Sequence, residues 1–600
     1  MAVKGVKGTL VTRRNFDSVI AQFKGQPRLV VDVETNGLDW RRIDVNTCGY
    51  AVMVPLPKRR DWKPYYFPFR HAQGDNLSEA HLDKLVQTLT GRTITNWNTK
   101  FDLHMMRKDG LKTPALAEDV MLSAHLLNEN EIAFRLKDLG VKYIDPKANE
   151  AQTKLKLLMA SKGLGKGDMC QLAADGEVAD YACDDVVLVE LFRRLHVPAL
   201  KEWKLLQIWR EVNAYMVETT IMESHGLLLD VPLVEEFAKE AEKMTRVAKR
   251  RVEKLAGYEI NMNSPKQLKA FLQLPDTKKE TLEKHDGDNP AINSVMTFRK
   301  WEKVLTSYYR PYLVKRTAED LLHPNIKLHG TISGRPSAED PNLQAVPRKD
   351  KNGIYKVKNV FLAIPGYTLV SADLSQAELR LFAHHSGDPV MVRVLSDLNG
   401  DIHQATADAM GVERDDAKRI NFGIVYGLGV PGLAHSAKIS MQKAELHLQK
   451  WHNVYRTIKP FYKSMENRAR HLGYIRLWTG RVRHYDTMRF PEHRKALSNL
   501  IQGGVAEMIR VIILRLGAMI RHNEVMRGTR MLLQVHDQIL FYVPNEKLFA
   551  VLPEIKTAME RFDFSVPFKV DISYGQRWSE LQKWEPPAVP TITPPKKKAA

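Results

Sequence analysis

The feature that most constrains this chain is a pair of strand-like segments set far apart around a long helical stretch. Residues 367–374, YTLVSADL, read as a strand that runs into a helix at SQAELRLFAHHS, and residues 531–543, MLLQVHDQILFYV, read as two strands around a tight turn. Between them, residues 400–520 are mostly helical in pattern. The two strand segments bracket a helical insertion, which predicts one sheet with a helical subdomain inserted into it. An earlier α/β unit opens at residues 28–33, RLVVDV, a β-branched run ending at polar turn residues, and closes near residue 200. Residues 201–325 are helix-rich, with charged heptad-like stretches such as TRVAKRRVEKL at 245–255, and predict an elongated helical subdomain. A chain of 600 residues is too long for one core, and three or four globular units are expected.

Charge narrows the partner. The 90 Lys and Arg outnumber the 70 Asp and Glu to give +20, a field that attracts polyanions and makes nucleic acid the leading partner. Three cysteines, Cys48, Cys170 and Cys183, with no CxxC pair, support neither a disulfide framework nor a zinc cluster and fit a reducing cytoplasm. The N-terminus lacks an apolar signal core, and the most apolar helical run, residues 503–520, carries Glu507, Arg510 and Arg515, so no membrane span is expected. The last eighteen residues, KWEPPAVPTITPPKKKAA, with five prolines and a Lys run, read as a flexible tail.

Two groups of residues carry chemistry. In VVDVETNGL, Asp32 and Glu34 stand two apart on a strand, so both carboxylates leave the same face and can share a metal. Asp102 follows Asn98 by four, and Tyr181 precedes Asp185 by four, which puts the last two on one helical face. Two divalent cations held by such carboxylates can activate a water and stabilise the leaving oxygen of a phosphodiester, with Tyr181 orienting the water. Order and spacing resemble the 3′→5′ exonucleases with an Asp-Glu-Asp-Asp core and a Tyr in the third motif. The resemblance implies metal ligation by Asp32, Glu34, Asp102 and Asp185 and water positioning by Tyr181.

In the second group, Asp373 ends a strand, Glu378 lies in the following helix, and Asp537 sits at a hairpin turn, an arrangement that can present two acids to one pair of metals. Arg414, Lys418, Phe422 and Tyr426 recur every four residues along one helical side, two cations for phosphates followed by two rings for stacking. The phrases DLSQAELR, RDDAKRINFGIVYG and QVHDQI, with TISGRPSAEDPNLQAVP at 331–347, resemble the family A DNA polymerases in order and wording, and the likeness runs from residue 28 to about 585.

The fold so implied is a multi-domain α/β protein, an RNase H-like exonuclease domain followed by a right-hand polymerase domain with an antiparallel palm sheet and helical fingers and thumb. Its parts are the exonuclease domain at 1–200, thumb at 201–330, palm at 331–400 and 521–582, fingers and adjoining helices at 401–520, and the tail at 583–600. The resemblance makes Asp373 and Asp537 metal ligands, with the Leu374 carbonyl beside them. Arg414, Lys418 and His403 would contact the incoming triphosphate, Phe422 its sugar and base, and Tyr426 the templating end of the pocket. Glu378 would fill the space of a ribose 2′-OH, and Arg335, Asn342, Gln344, Gln502 and His536 would touch the primer–template duplex. It implies two Mg²⁺ per active site, for which Mn²⁺ can substitute, with primer–template DNA, a single-stranded DNA 3′ end and dNTPs as partners. A monomer in the cytoplasm is expected, of the host if viral, with replisome partners unspecified.

Two residues depart from the family pattern. Gln538 stands where the third motif usually has Glu, and Ser498 stands where the family usually has Asn, four before Gln502. The first removes a negative charge beside the metals and puts metal affinity in question. Phe422, lacking a hydroxyl, implies discrimination against dideoxynucleotides. With the first acidic motif starting near residue 1, no preceding 5′-nuclease domain is expected, nor a large processivity insert in the thumb, and the expected source is a bacteriophage or a compact organellar replicase. The competing readings are a 3′→5′ exonuclease whose C-terminal region binds DNA without polymerising, and a non-catalytic DNA-binding scaffold.

Overall fold

The computed structural model describes residues 8–112, 116–165, 167–347, 356–425, 427–437, 439–488 and 490–586. The run of Val30, Val31 and Val33 forms the strand Arg28–Thr35, which is buried at those three positions. It pairs antiparallel with Thr47–Met53 and parallel with Thr93–Asn96. The complete six-stranded sheet runs Thr9–Leu10, Pro64–Pro68, Thr47–Met53, Arg28–Thr35, Thr93–Asn96 and Leu116–Asp119. Helix Glu177–Glu202 packs across the middle of it, burying Ala182, Val186, Val189 and Phe192.

One expectation from the sequence fails in this unit. Cys48 and Cys170 form a disulfide with Cα atoms 5.8 Å apart, although 122 positions separate them. Cys48 lies in the strand Thr47–Met53 and Cys170 in the single turn Met169–Gln171, and the fold lays the two side by side. The pairing depends on tertiary proximity of the two Cα atoms, which cysteine number and spacing do not report. Cys183 is free and buried.

The helix-rich region begins with Leu206–His225, which packs both on Leu116–Asp119 and on Arg530–Val535, so it bridges the two larger sheets. Helix Val231–Ala256 starts where the Asp230 side chain accepts from Leu233 N at 3.3 Å and Pro232 sets the first turn, and it stops at Gly257 with φ 77°. Val234, Phe237, Ala241, Thr245, Ala248 and Val252, spaced by three and four, form its buried stripe, and the helix packs along Pro290–Val304. Short strands interrupt the helices. Leu227–Leu229 lies between Leu321–Leu322 and Phe361–Leu362.

The inserted-subdomain expectation holds. A five-stranded antiparallel sheet runs Arg530–Val535, Gln538–Pro544, Tyr367–Ser375, Lys569–Gly575 and Gln582–Lys583. The helices from Ala377–Ser386 to Ala496–His522 leave and return to it, with one hairpin, Tyr474–Arg476 and Val482–His484, among them. Gly503 and Gly504 let the long helix Ala496–His522 lie close to its neighbours, since a Cβ at Gly503 would come within 3.1 Å of the Ser333 carbonyl and one at Gly504 within 2.5 Å of Leu381. The tail starts later than the sequence suggests: Gln582–Lys583 extends the sheet and Trp584 is buried, its backbone N–H donating to Ile572 O at 2.9 Å. An indole has enough apolar area to dock even in a proline-rich stretch. Residues 587–600 lie outside the described residues. Among the described residues no helix is long and apolar enough to cross a membrane.

Buried ion pairs join the N-terminal unit to the hairpin. Glu129 accepts from Arg483 Nη1 and from His484 N, each at 2.6 Å, and lies 2.9 Å from His484 Nδ1. Alongside, Glu507 is held by Arg481 at 3.1 Å and Arg510 at 2.7 Å, and His125 Nε2 lies 3.1 Å from Thr331 O.

Two candidate carboxylate centres

On the first sheet, the period of two along Arg28–Thr35 puts Asp32 and Glu34 on one face, and the first turns of Glu177–Glu202 bring Tyr181 and Asp185 over it. One carboxylate oxygen from each of Asp32, Glu34 and Asp185 lies within 4.8 Å of the others. Asp102, buried on Thr99–Lys108, does not join this trio; its Oδ1 accepts from Val33 N at 3.1 Å, tying its helix to the strand. Asn98 caps that helix with φ 62°, its N–H given to Asp119 at 3.1 Å. Burial, followed by the neighbouring Asp185 charge, raises the Asp32 carboxyl to about 7, and Asn96 Nδ2 offsets this in part by donating to Asp32 at 2.9 Å. Burial and the surrounding acids also push Glu34 and Asp102 upward, and the Asp185 charge raises the Tyr181 phenol. Glu34 Oε1 is buried without a hydrogen-bond partner. Clustered, desolvated carboxylates with an orphaned oxygen are a donor set suited to a hard divalent cation.

Two residues of this centre were invisible in the sequence. Asn96 needed the parallel pairing of its strand, and Lys137, from helix Leu136–Tyr143, forms an ion pair with Asp185. The same unit borders a cavity of about 750 Å³ whose wall includes Trp40, Trp97, Phe101 and Phe134 together with the charged Arg135 and Glu339.

On the second sheet, Asp373 sits near the end of the central strand Tyr367–Ser375, in register with Gln538 on one side and Asp571 on the other. Leu374 N donates to Asp537 O at 3.1 Å, which fixes the turn carrying Asp537 against the strand end. His536 occupies that turn with φ 60°, in the left-handed region that few non-glycine residues adopt. Gln538 Nε2 donates to Ser371 Oγ. Asp571 is a further acid of this centre, brought opposite Asp373 by strand register alone. Glu378 is half-buried in the first turn of Ala377–Ser386.

Helix Arg414–Val425 carries Arg414, Lys418 and Phe422, and Tyr426 lies outside the described residues. Asp401 joins this helix to the preceding one: it caps Ile402–Met410 by accepting from His403 N at 2.9 Å and pairs with Arg414 Nε at 2.7 Å. The His403 ring lies 5.5 Å from that of Phe422, and Asn421 Nδ2 lies 3.1 Å from His403 Nδ1. Donation from the Asn421 amide places the imidazole proton on Nε2, and burial lowers His403 to about 4, so the ring is neutral near pH 7. Asn342 accepts from Gln344 N and Ala345 N, each at 3.1 Å, and Gln344 Nε2 reaches Gln534 O at 3.0 Å, which ties this turn to the hairpin of Asp537. Arg335 and Gln502 are half-buried, the latter on Ala496–His522.

Residues 231–580 match the model of DNA polymerase family A, more than half of the chain, and the chain belongs to that family. It is 28% identical over 587 residues to DNA polymerase I of Synechocystis sp., covering 86% of this chain and 56% of that protein. It is 30% identical over 445 residues to the thermostable DNA polymerase I of Thermus aquaticus, covering 67% of this chain and 52% of that one. The chain thus spans about half the length of the curated relatives it matches. Its fold is that of the POL domain of Pol1 from M. smegmatis in complex with DNA primer-template and dNTP, with a TM-score of 0.79 at 22% identity, over 95% of this chain and 99% of that one.

Proposed function

We propose that the chain is a template-directed DNA polymerase that extends a primer 3′ end with deoxynucleotides and carries a proofreading 3′→5′ exonuclease. The observation that supports it best is the pair of separate carboxylate centres, one on each of the two larger sheets, in a chain of the polymerase family. In this reading residues 1–200 form the exonuclease domain, 201–330 the thumb, 331–400 and 521–582 the palm, and 401–520 the fingers.

Divalent cations, Mg²⁺ or Mn²⁺, would supply charge neutralisation and nucleophile activation when bound. Asp373 and Asp537, with the Leu374 carbonyl, would hold them at the synthetic centre, and Asp32, Glu34 and Asp185, with Asp102 behind, at the excising one. Arg414 and Lys418 offer charge-assisted hydrogen bonds to a triphosphate, and neutral His403 an Nε2–H donor without added charge. Phe422 and Tyr426 would stack on nucleotide and template, and Glu378 would exclude a 2′-OH. Arg335, Asn342, Gln344, Gln502 and His536 would track the duplex through backbone and minor-groove atoms, as copying any sequence requires. At the other centre Tyr181 would orient the attacking water, while the aromatic side chains lining the cavity of the same unit offer stacking faces for the bases of an unpaired 3′ strand.

The test is primer extension with Mg²⁺ and all four dNTPs on matched and mismatched 3′ ends. Removal of the mismatch before extension is expected. Absence of any metal-dependent product would overturn the reading.

A further inference from the structure

Lys137 stands where no surface lysine would. Its ammonium forms an ion pair with Asp185, and the two side chains are only 5% and 11% exposed. It also lies 5.3 Å from the centre of the Tyr181 ring. Gly140 makes this possible: a Cβ there would meet Leu188 at 2.9 Å, so the glycine lets helix Leu136–Tyr143 lie close enough to Glu177–Glu202 for Lys137, one turn earlier, to reach Asp185. The ammonium therefore rests on one of the three carboxylates whose oxygens converge within 4.8 Å. Its charge is felt by Asp32, Glu34 and Asp184 as well.

We propose that Lys137 is the resident counter-ion of the excising centre, which neutralises Asp185 in the metal-free protein and must yield that carboxylate to a divalent cation. It thereby sets the metal concentration at which this centre loads. The inference rests on the reading of Asp32, Glu34 and Asp185 as metal ligands. A cation bound by that trio would share Asp185 with an ammonium at contact distance, and like charges so close in a poorly solvated site repel strongly. Burying an acidic cluster without a partner charge would itself be costly, which explains why the lysine is there. Lys137 is a positioning residue in this scheme and takes no part in bond making.

The test is Mn²⁺ binding followed by the loss of the free-ion EPR signal, on the full chain carrying Asp373→Ala and Asp537→Ala so that the synthetic centre is silent. Lys137→Met and Lys137→Gln are expected to bind Mn²⁺ about tenfold more tightly or better, because one positive charge leaves the site. Lys137→Arg, which keeps the charge, is expected to stay within about threefold of the parent. Far-UV circular dichroism identifies a variant that fails to fold, and either neutral variant suffices. Unchanged or weaker binding in the folded neutral variants overturns the role of Lys137. If Asp32→Ala with Glu34→Ala leaves Mn²⁺ binding of the parent untouched, the metal reading of the trio falls instead, so the two failures are distinct.

Discussion

Replacing Glu507 by Gln removes one charge from a fully enclosed cluster and leaves its shape almost unaltered. Glu507 is 1% exposed and accepts from Arg481 Nη1 at 3.1 Å, from Arg510 Nη2 at 2.7 Å and Nε at 3.2 Å, and from Thr479 Oγ1 at 2.7 Å. Burial alone would raise this carboxyl, but the two guanidinium groups win and bring it down from 4.5 to about 2. A depressed carboxylate contributes stability above its unfolded pKa and loses it as pH falls toward the folded one. The depression corresponds to about 3 kcal/mol at neutral pH, the scale on which breaking a buried ion pair usually costs. By pH 3.5 the contribution is down to about 2 kcal/mol. Differential scanning calorimetry of the parent and Glu507→Gln is the assay, and at pH 7 the variant is expected to unfold about 6–12 °C lower if the surrounding unit melts like a domain of ordinary size. The gap should narrow as the pH is taken from 5 to 3.5. Equal melting temperatures at pH 7, or a gap that ignores pH, would refute the reasoning.

Other outcomes follow from the same structure. Asp373→Ala and Asp537→Ala are expected to lower nucleotide incorporation by about a thousandfold or more while excision from a single-stranded 3′ end persists, and Asp32→Ala with Glu34→Ala should do the reverse; single-turnover assays of both reactions check this. Gln538→Glu should fold normally, because Ser371 can donate to a carboxylate as readily as it accepts from the amide, and should lower the Mg²⁺ concentration for half-maximal extension; an unchanged Mg²⁺ curve makes the residue neutral here. His196, lowered to about 4 by burial, binds a proton in the unfolded chain first, so it withdraws stability as pH falls from 6.5 to 4. His196→Asn is expected to flatten the melting temperature over that window, and an unaltered slope would count against the shift. Non-reducing peptide mapping of protein purified without reductant should recover Cys48 linked to Cys170, with both free after dithiothreitol.

What could be read beforehand was what repeats with a local period. Val-Val-Asp-Val-Glu announces a strand and sets Asp32 and Glu34 on one face, and Tyr181 with Asp185 follow from one turn of helix. Arg414, Lys418 and Phe422 fall on one helix for the same reason. What could not be read depends on which elements lie side by side. Lys137 reaches Asp185 through the closeness of two helices, Asp571 faces Asp373 through strand register, and Cys48 meets Cys170 across a fold that their spacing does not encode. Asp102 belongs to the motif yet turns to Val33 N, a choice made by backbone hydrogen bonding rather than by charge pattern.

The enclosed contact of Glu129 with Arg483 and His484 has a mechanical meaning. Swinging the N-terminal unit away from the hairpin would break the contacts of Glu129 with Arg483 and His484 together, and water would have to replace each of them. The contact therefore favours one placement of the two carboxylate centres relative to each other. If both act on one primer, the traffic between them falls to the nucleic acid: the terminus has to unzip and cross the gap, and the ease of melting its last base pairs becomes the clock that decides between copying and cutting.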